Sequence, residues 1–120
     1  DKLLKIKYNI VLEIGKLSMI FGNNSFALDI ASFCYNYLGL TKEVNIDTVE
    51  GLDADGYCCE DGTIEINHAL PKETFILTVC HEMVHCMQYE RNRNACEEEA
   101  YTREVELFNK YKEYTNAKTN

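Results

Sequence analysis

No apolar run in the chain approaches the roughly 20 residues that a membrane-crossing helix needs, so a membrane-embedded role is not expected. Proline occurs once, there is no internal repeat, and no low-complexity stretch precedes the polar end at Thr115 to Asn120, which together exclude a repeat array or a disordered linker protein. Basic residues are the minority, 12 against 20 acidic, and the net charge of −8 leaves no basic stripe for a nucleic acid. A neutral or basic partner suits that charge better. There is no CxxC pair either. The six cysteines, Cys34, Cys58, Cys59, Cys80, Cys86 and Cys96, are too sparse for a disulfide scaffold, and Cys80 and Cys86 read as small apolar residues on a buried helix. Cys58 and Cys59 are adjacent and poorly placed to bond each other. The expectation is a reducing compartment.

With 120 residues and 46% hydrophobic composition, the chain has material for one core, and residues 1–120 are expected to form a single α+β domain. Apolar residues alternate at Ile6, Tyr8, Ile10, Leu12 and Ile14, the period of a strand, with a helix through Leu17 to Ile20 as the competitor. Gly22-Asn23-Asn24 breaks the chain. Ser25 then suits an N-cap for a helix carrying Phe26, Ile30, Phe33, Cys34 and Tyr37 on a core-facing stripe, and Gly39 suits its stop. Short apolar runs follow at Val44 to Val49, Ala54 to Cys59 and Thr63 to Asn67. The Asp61-Gly62 dipeptide between the last two signals a hairpin.

The stretch that dominates the rest is His81-Glu82-Met83-Val84-His85, inside a run from Thr74 to Gln88 that is apolar nearly all round. Pro71 fits the first turn of this helix. Histidines four residues apart project from one helix face, one turn above the other, so both rings can grip one metal ion. Burying His81, Glu82 and His85 without a partner would be costly, which favours a ligand role over incidental core histidines. Glu82 lies about 100° around the helix and is placed to act as general base toward a water activated by the metal. Either Cys80 or Cys86 could in principle close the site as a structural one, but each is about 100° off its neighbouring histidine.

A third ligand has to come from elsewhere, and the acidic cluster Glu97-Glu98-Glu99 is the best supplier, after a turn at Arg91 to Asn94. The last helix is expected over about Cys96 to Tyr114, with Cys96, Ala100, Leu107, Tyr111 and Tyr114 along its buried stripe. At about 100° per residue, Glu99 falls nearest that stripe, Glu97 on its other flank and Glu98 away. Glu99 is therefore the expected ligand, Glu97 the reserve, and zinc the expected ion. At least one of the three glutamates is a solvated charge suited to the helix dipole.

With these residues in view, the chain resembles the zincin metallopeptidases whose third ligand is a glutamate on the helix after HExxH, and more narrowly the minimal zincin domains of phage and bacterial genomes. The resemblance rests on Gly56-Tyr57, Asp61-Gly62, Ile64-Glu65-Ile66-Asn67, His81 to Gln88, and Glu97-Glu98-Glu99-Ala100-Tyr101 with Glu104. It covers roughly the C-terminal half. Thr102 stands where that family often has glycine, and nothing before Val44 carries its signature. The resemblance implies a small mixed or antiparallel sheet packed on the metal helix and a following C-terminal helix. It also implies an edge strand beside the cleft; by analogy this is Thr63 to Asn67, with Ile64 and Ile66 contacting an extended peptide. No signal-peptide core is visible at Asp1-Lys2-Leu3-Leu4, so the expected location is the cytoplasm, that of a host cell if the chain is phage-encoded.

The expected activity is zinc-dependent hydrolysis of peptide or protein substrates, with Glu82 moving the proton and His68, Tyr101 or Arg103 as candidate donors to the oxyanion. The competing reading keeps the fold and the metal as an interaction or regulatory module with little turnover. A plain structural domain with incidental histidines is the third. Eight tyrosines and five phenylalanines permit an interface and leave the oligomeric state open.

Overall fold

The computed structural model describes residues 19–119, and the expected strand over Lys5 to Ile14 lies outside them. The fold is α+β, with the order β1 (Ile20–Gly22), α1 (Ser25–Leu38), β2 (Val44–Val49), β3 (Gly56–Cys58), β4 (Thr63–Asn67), α2 (Lys72–Glu90) and α3 (Glu97–Thr119). Ile20 opens a strand, not a helix. Asn24 rather than Ser25 caps α1, its side-chain oxygen accepting the Ala27 N–H at 2.9 Å. Gly39 closes that helix in the left-handed conformation, as expected.

The buried face of α1 is centred on Ala27, Ile30, Ala31, Cys34 and Leu38. Phe26 and Tyr37, expected in the core, are exposed instead. The small alanines let α1 lie close to its neighbours and rotate the large rings to the margin, where Phe33 packs against Tyr37, Tyr111 and Tyr114.

The sheet is mixed, in the order β1-β2-β4-β3. β1 and β4 both run parallel to β2, while β3 runs antiparallel to β4 as the second arm of the expected hairpin. The turn works because Gly62 adopts a positive φ and approaches Glu43 so closely that a Cβ would lie 2.4 Å from its carbonyl oxygen. Asp61 accepts the Thr63 N–H at 2.9 Å across the same turn. In this order β4 is interior, so Thr63–Asn67 is not the edge strand; β3 is. Local pattern identified both arms of the hairpin, but which arm pairs with β2 is a long-range choice.

Strict alternation in β2 and β4 places Val44, Ile46, Ile64 and Ile66 on the buried face. They share one core with Val79, Met83 and Met87 of α2, which is buried almost continuously from Phe75 to Gln88 and lies between the sheet, α1 and α3. Pro71 occupies the cap position just before α2, one residue ahead of its first turn, and its carbonyl accepts the Phe75 N–H. α3 contributes Ala100, Leu107 and Tyr111 to the same core. No helix among the described residues is long and apolar enough to cross a membrane.

Candidate metal centre

His81 and His85 lie one turn apart on α2, with ring centroids 4.9 Å apart and only 9% and 7% of their surface exposed. Both Nε2 atoms converge on one carboxylate oxygen of Glu97, 3.3 Å away for His81 and in direct contact for His85. One ligand atom from each of the three residues lies within 4.8 Å of the others. Donors about 2.0–2.2 Å from a common tetrahedral ion would stand about 3.3–3.6 Å apart, the separation of His81 from Glu97, while His85 and Glu97 lie closer.

The other ring nitrogens are also engaged. His81 Nδ1 is 2.7 Å from Glu104 Oε1, and His85 Nδ1 is 2.8 Å from Gln88 Oε1. Each Nδ1 thus faces an oxygen acceptor, and with its proton held there the Nε2 lone pair would be free for a metal in place of the Glu97 contact. This is the outer support that metal-ligating histidines characteristically have. Gln88 is fully buried, and all its polar capacity is spent: its oxygen also accepts the Cys96 N–H, and its nitrogen donates to Cys96 O and Glu99 Oε1.

Glu99 is therefore not the carboxylate at the histidines. It accepts from Gln88 at 2.8 Å and from Arg93 at 2.7 Å, two contacts that hold its pKa below the ordinary carboxylate range, the Gln88 bond foremost. Counting Cys96 and Tyr114, both exposed, in the buried stripe leaves the two glutamates almost equidistant from its centre, Glu97 at about 75° and Glu99 at about 85°, and gives no ground for preferring Glu99. Centred on Ala100, Leu107 and Tyr111 alone, the stripe runs about 60° from Glu97 and about 100° from Glu99. Glu97, Tyr101 and Glu104, at steps of four and three, share the face that meets His81. That spacing is visible in the sequence and is the signal that could have found Glu97 and Glu104.

Burial works to raise the pKa of Glu97, yet the His85 hydrogen bond, with His81, brings it below the ordinary value. Glu82 behaves oppositely. Burial pushes its carboxyl up, the two histidines pull it back, and Glu97 and Glu104 add to the rise. It makes no hydrogen bond among the described residues and lines a cavity of about 290 Å³ together with His81, Glu97, Tyr101, Glu104 and, from the sheet, Asp55 and Gly56. A buried carboxylate with a raised pKa at the wall of an open cavity is suited to accept and return a proton.

The remaining expected residues separate into two groups. Tyr101 is brought to the site, its ring 4.7 Å from that of His81. Arg103 is not; it points to Met87 Sδ and Glu106. His68 is exposed beyond β4 and does not line the cavity. Ile64 and Ile66 are buried on the inner face of an interior strand and cannot contact a peptide. Cys80 and Cys86 stay out of the cluster.

The edge beside the cavity belongs to β3. Its bonds to β4 run from Asn67 N to Asp55 O and from Cys59 N to Thr63 O, so by antiparallel alternation Gly56 and Cys58 turn their N–H and C=O groups toward the open side. Gly56 also lets β3 press onto α2, since a Cβ there would sit 2.9 Å from Thr78 Cγ2.

No protein-family model matches the chain, and comparison with curated proteins and with solved structures gives no match.

Proposed function

We propose that the chain is a zinc-dependent metallopeptidase of the minimal zincin kind, with zinc held by His81, His85 and Glu97. The observation that carries this reading is the division of labour around two histidines. Each Nδ1 is tied back, by Glu104 and Gln88, each Nε2 faces Glu97, and Glu82 is left uncommitted at the cavity. A purely structural site has no use for such a base and usually fills its fourth position with another protein ligand. Two nitrogens and one oxygen are a borderline donor set that suits zinc.

Zinc in this position would lower the pKa of water and polarise a scissile carbonyl. Glu82 takes the proton from the attacking water and hands it to the leaving amine. Tyr101 is the one of the three candidate oxyanion donors that lines the cavity, replacing His68 and Arg103 in that role. An extended peptide is held along β3 by the outward groups of Gly56 and Cys58, replacing the β4 contacts expected at Ile64 and Ile66.

The test combines zinc content with cleavage of an unfolded protein. One zinc per chain, lost in Glu97→Ala but kept in Glu99→Ala, is expected. Glu82→Gln should keep the zinc and reduce cleavage by roughly 10²–10⁴-fold. Zinc without cleavage in the wild type would move the assignment to a metal-binding interaction module. No zinc under metal-replete conditions would refute the centre itself.

A further inference from the structure

Four of the six cysteines fall into two facing pairs whose environments differ. Cys34 and Cys80 lie 3.8 Å apart, sulfur to sulfur, with no exposed surface in the core between α1 and α2. Cys58, on the inner face of β3, and Cys86, on α2, have their sulfurs 3.1 Å apart. That is closer than the roughly 3.5–4.0 Å at which even carbon atoms are in optimal contact, and sulfur is larger. The pair is also reachable. Cys58 is half-buried beside the exposed Cys59, and Cys86 contributes to a surface hollow with Lys42, Gly62 and Glu90. The elements that hold the two sulfurs are rigid: β3 is fixed to β4 by its ladder, and α2 is the central helix.

We propose that Cys58 and Cys86 are a redox-modification site, oxidised by a small-molecule disulfide to a bond that fastens the edge strand β3 to the helix carrying His81 and His85. The exchange begins at the more accessible Cys58, which attacks the oxidant as its thiolate, a minor form because the Cys86 contact and burial raise its pKa, and releases one thiol. Cys86 then attacks the Cys58 sulfur of the mixed disulfide and releases the second. In balance, two S–H bonds are exchanged for one S–S bond, and the oxidant's S–S bond takes up two electrons and two protons to become two thiols. The pairing rests on the positions of the sulfurs and not on the peptidase reading. In reducing surroundings the two remain thiols.

The experiment treats the folded chain with oxidised glutathione, blocks free thiols by alkylation and maps the cross-linked peptides. A Cys58–Cys86 link as the dominant product, a mass lower by two hydrogens, and a Tm raised by roughly 10 °C and restored by dithiothreitol are expected. In Cys86→Ser, Cys58 should instead retain a glutathione adduct. Adducts on Cys59 or Cys96 with no internal link, a Cys34–Cys80 link, or a scrambled mixture would each overturn the proposal. Should Cys86→Ser fail to fold, the wild-type map decides alone.

Discussion

At the scale of single residues, the centre depends less on the HExxH spacing than on what stands behind each ring. Glu104 sets the tautomer of His81 without reaching the position a metal would take. Glu104→Gln is expected to weaken zinc binding about 10–100-fold while leaving the Tm close to wild type, measured by chelator competition alongside thermal melting. An unchanged affinity would make Glu104 a bystander. Glu99 belongs to a different argument, that of pH. Its folded pKa is depressed by Gln88 first and by Arg93, below the 4.5 of an ordinary glutamate. The sign follows: the stabilisation is fully present above that ordinary value and is lost as the pH falls through the lower, folded one. The carboxylate keeps solvent access, with 28% of its side chain exposed and its partner Arg93 more open still, so the effect is modest. Between pH 5 and pH 3, zinc-free Glu99→Gln should lose less stability than the zinc-free wild type in urea titrations; parallel losses would remove Glu99 from the acid response.

At the scale of elements, α2 is where sequence and structure agree most closely. A helix buried nearly all round must account for each polar side chain it carries, and Thr78, His81, His85 and Gln88 all have named partners, with Glu82 at the cavity the exception. Gln88 does the most structural work, joining α2 to the first turn of α3 and to His85. Gln88→Leu leaves the Cys96 amide and the His85 ring without their acceptor and should cost roughly 2–3 kcal/mol of stability, read from the urea midpoint of the zinc-free protein. The hairpin was equally legible, because Asp61-Gly62 and the flanking alternation are local signals. Its place in the sheet was not. Both arms are short and apolar on one face, and nothing within either says which one pairs with β2.

At the scale of the whole molecule, the site is a contact between layers. α2 supplies the histidines and Glu82, α3 the carboxylates of Glu97 and Glu104, and β3 the open edge. The geometry therefore depends on how α3 docks. Leu107, fully buried and outside the cavity lining, is part of that dock. Leu107→Ala is expected to destabilise the fold by about 2–5 kcal/mol, by the usual cost of a core cavity. If α3 is the third wall of the centre, the same change should also weaken zinc binding with no ligand altered. Retained affinity together with lost stability would show that Glu97 is positioned by the turn before α3 and not by the helix packing.

The sequence by itself determined the α+β class, the helix that carries His81, Glu82 and His85, and the hairpin, because helical period, strand alternation and turn chemistry act over a few neighbouring residues. Only the tertiary structure decided that Glu97 and not Glu99 meets the histidines, that β3 and not β4 is the edge, and that Cys58 faces Cys86. Each of these turns on how one element is rotated or ordered against another. A rotation of tens of degrees about the axis of α3 exchanges one glutamate for the next, and that angle is set by the fit of Ala100, Leu107 and Tyr111 into the shared core, which no local pattern encodes.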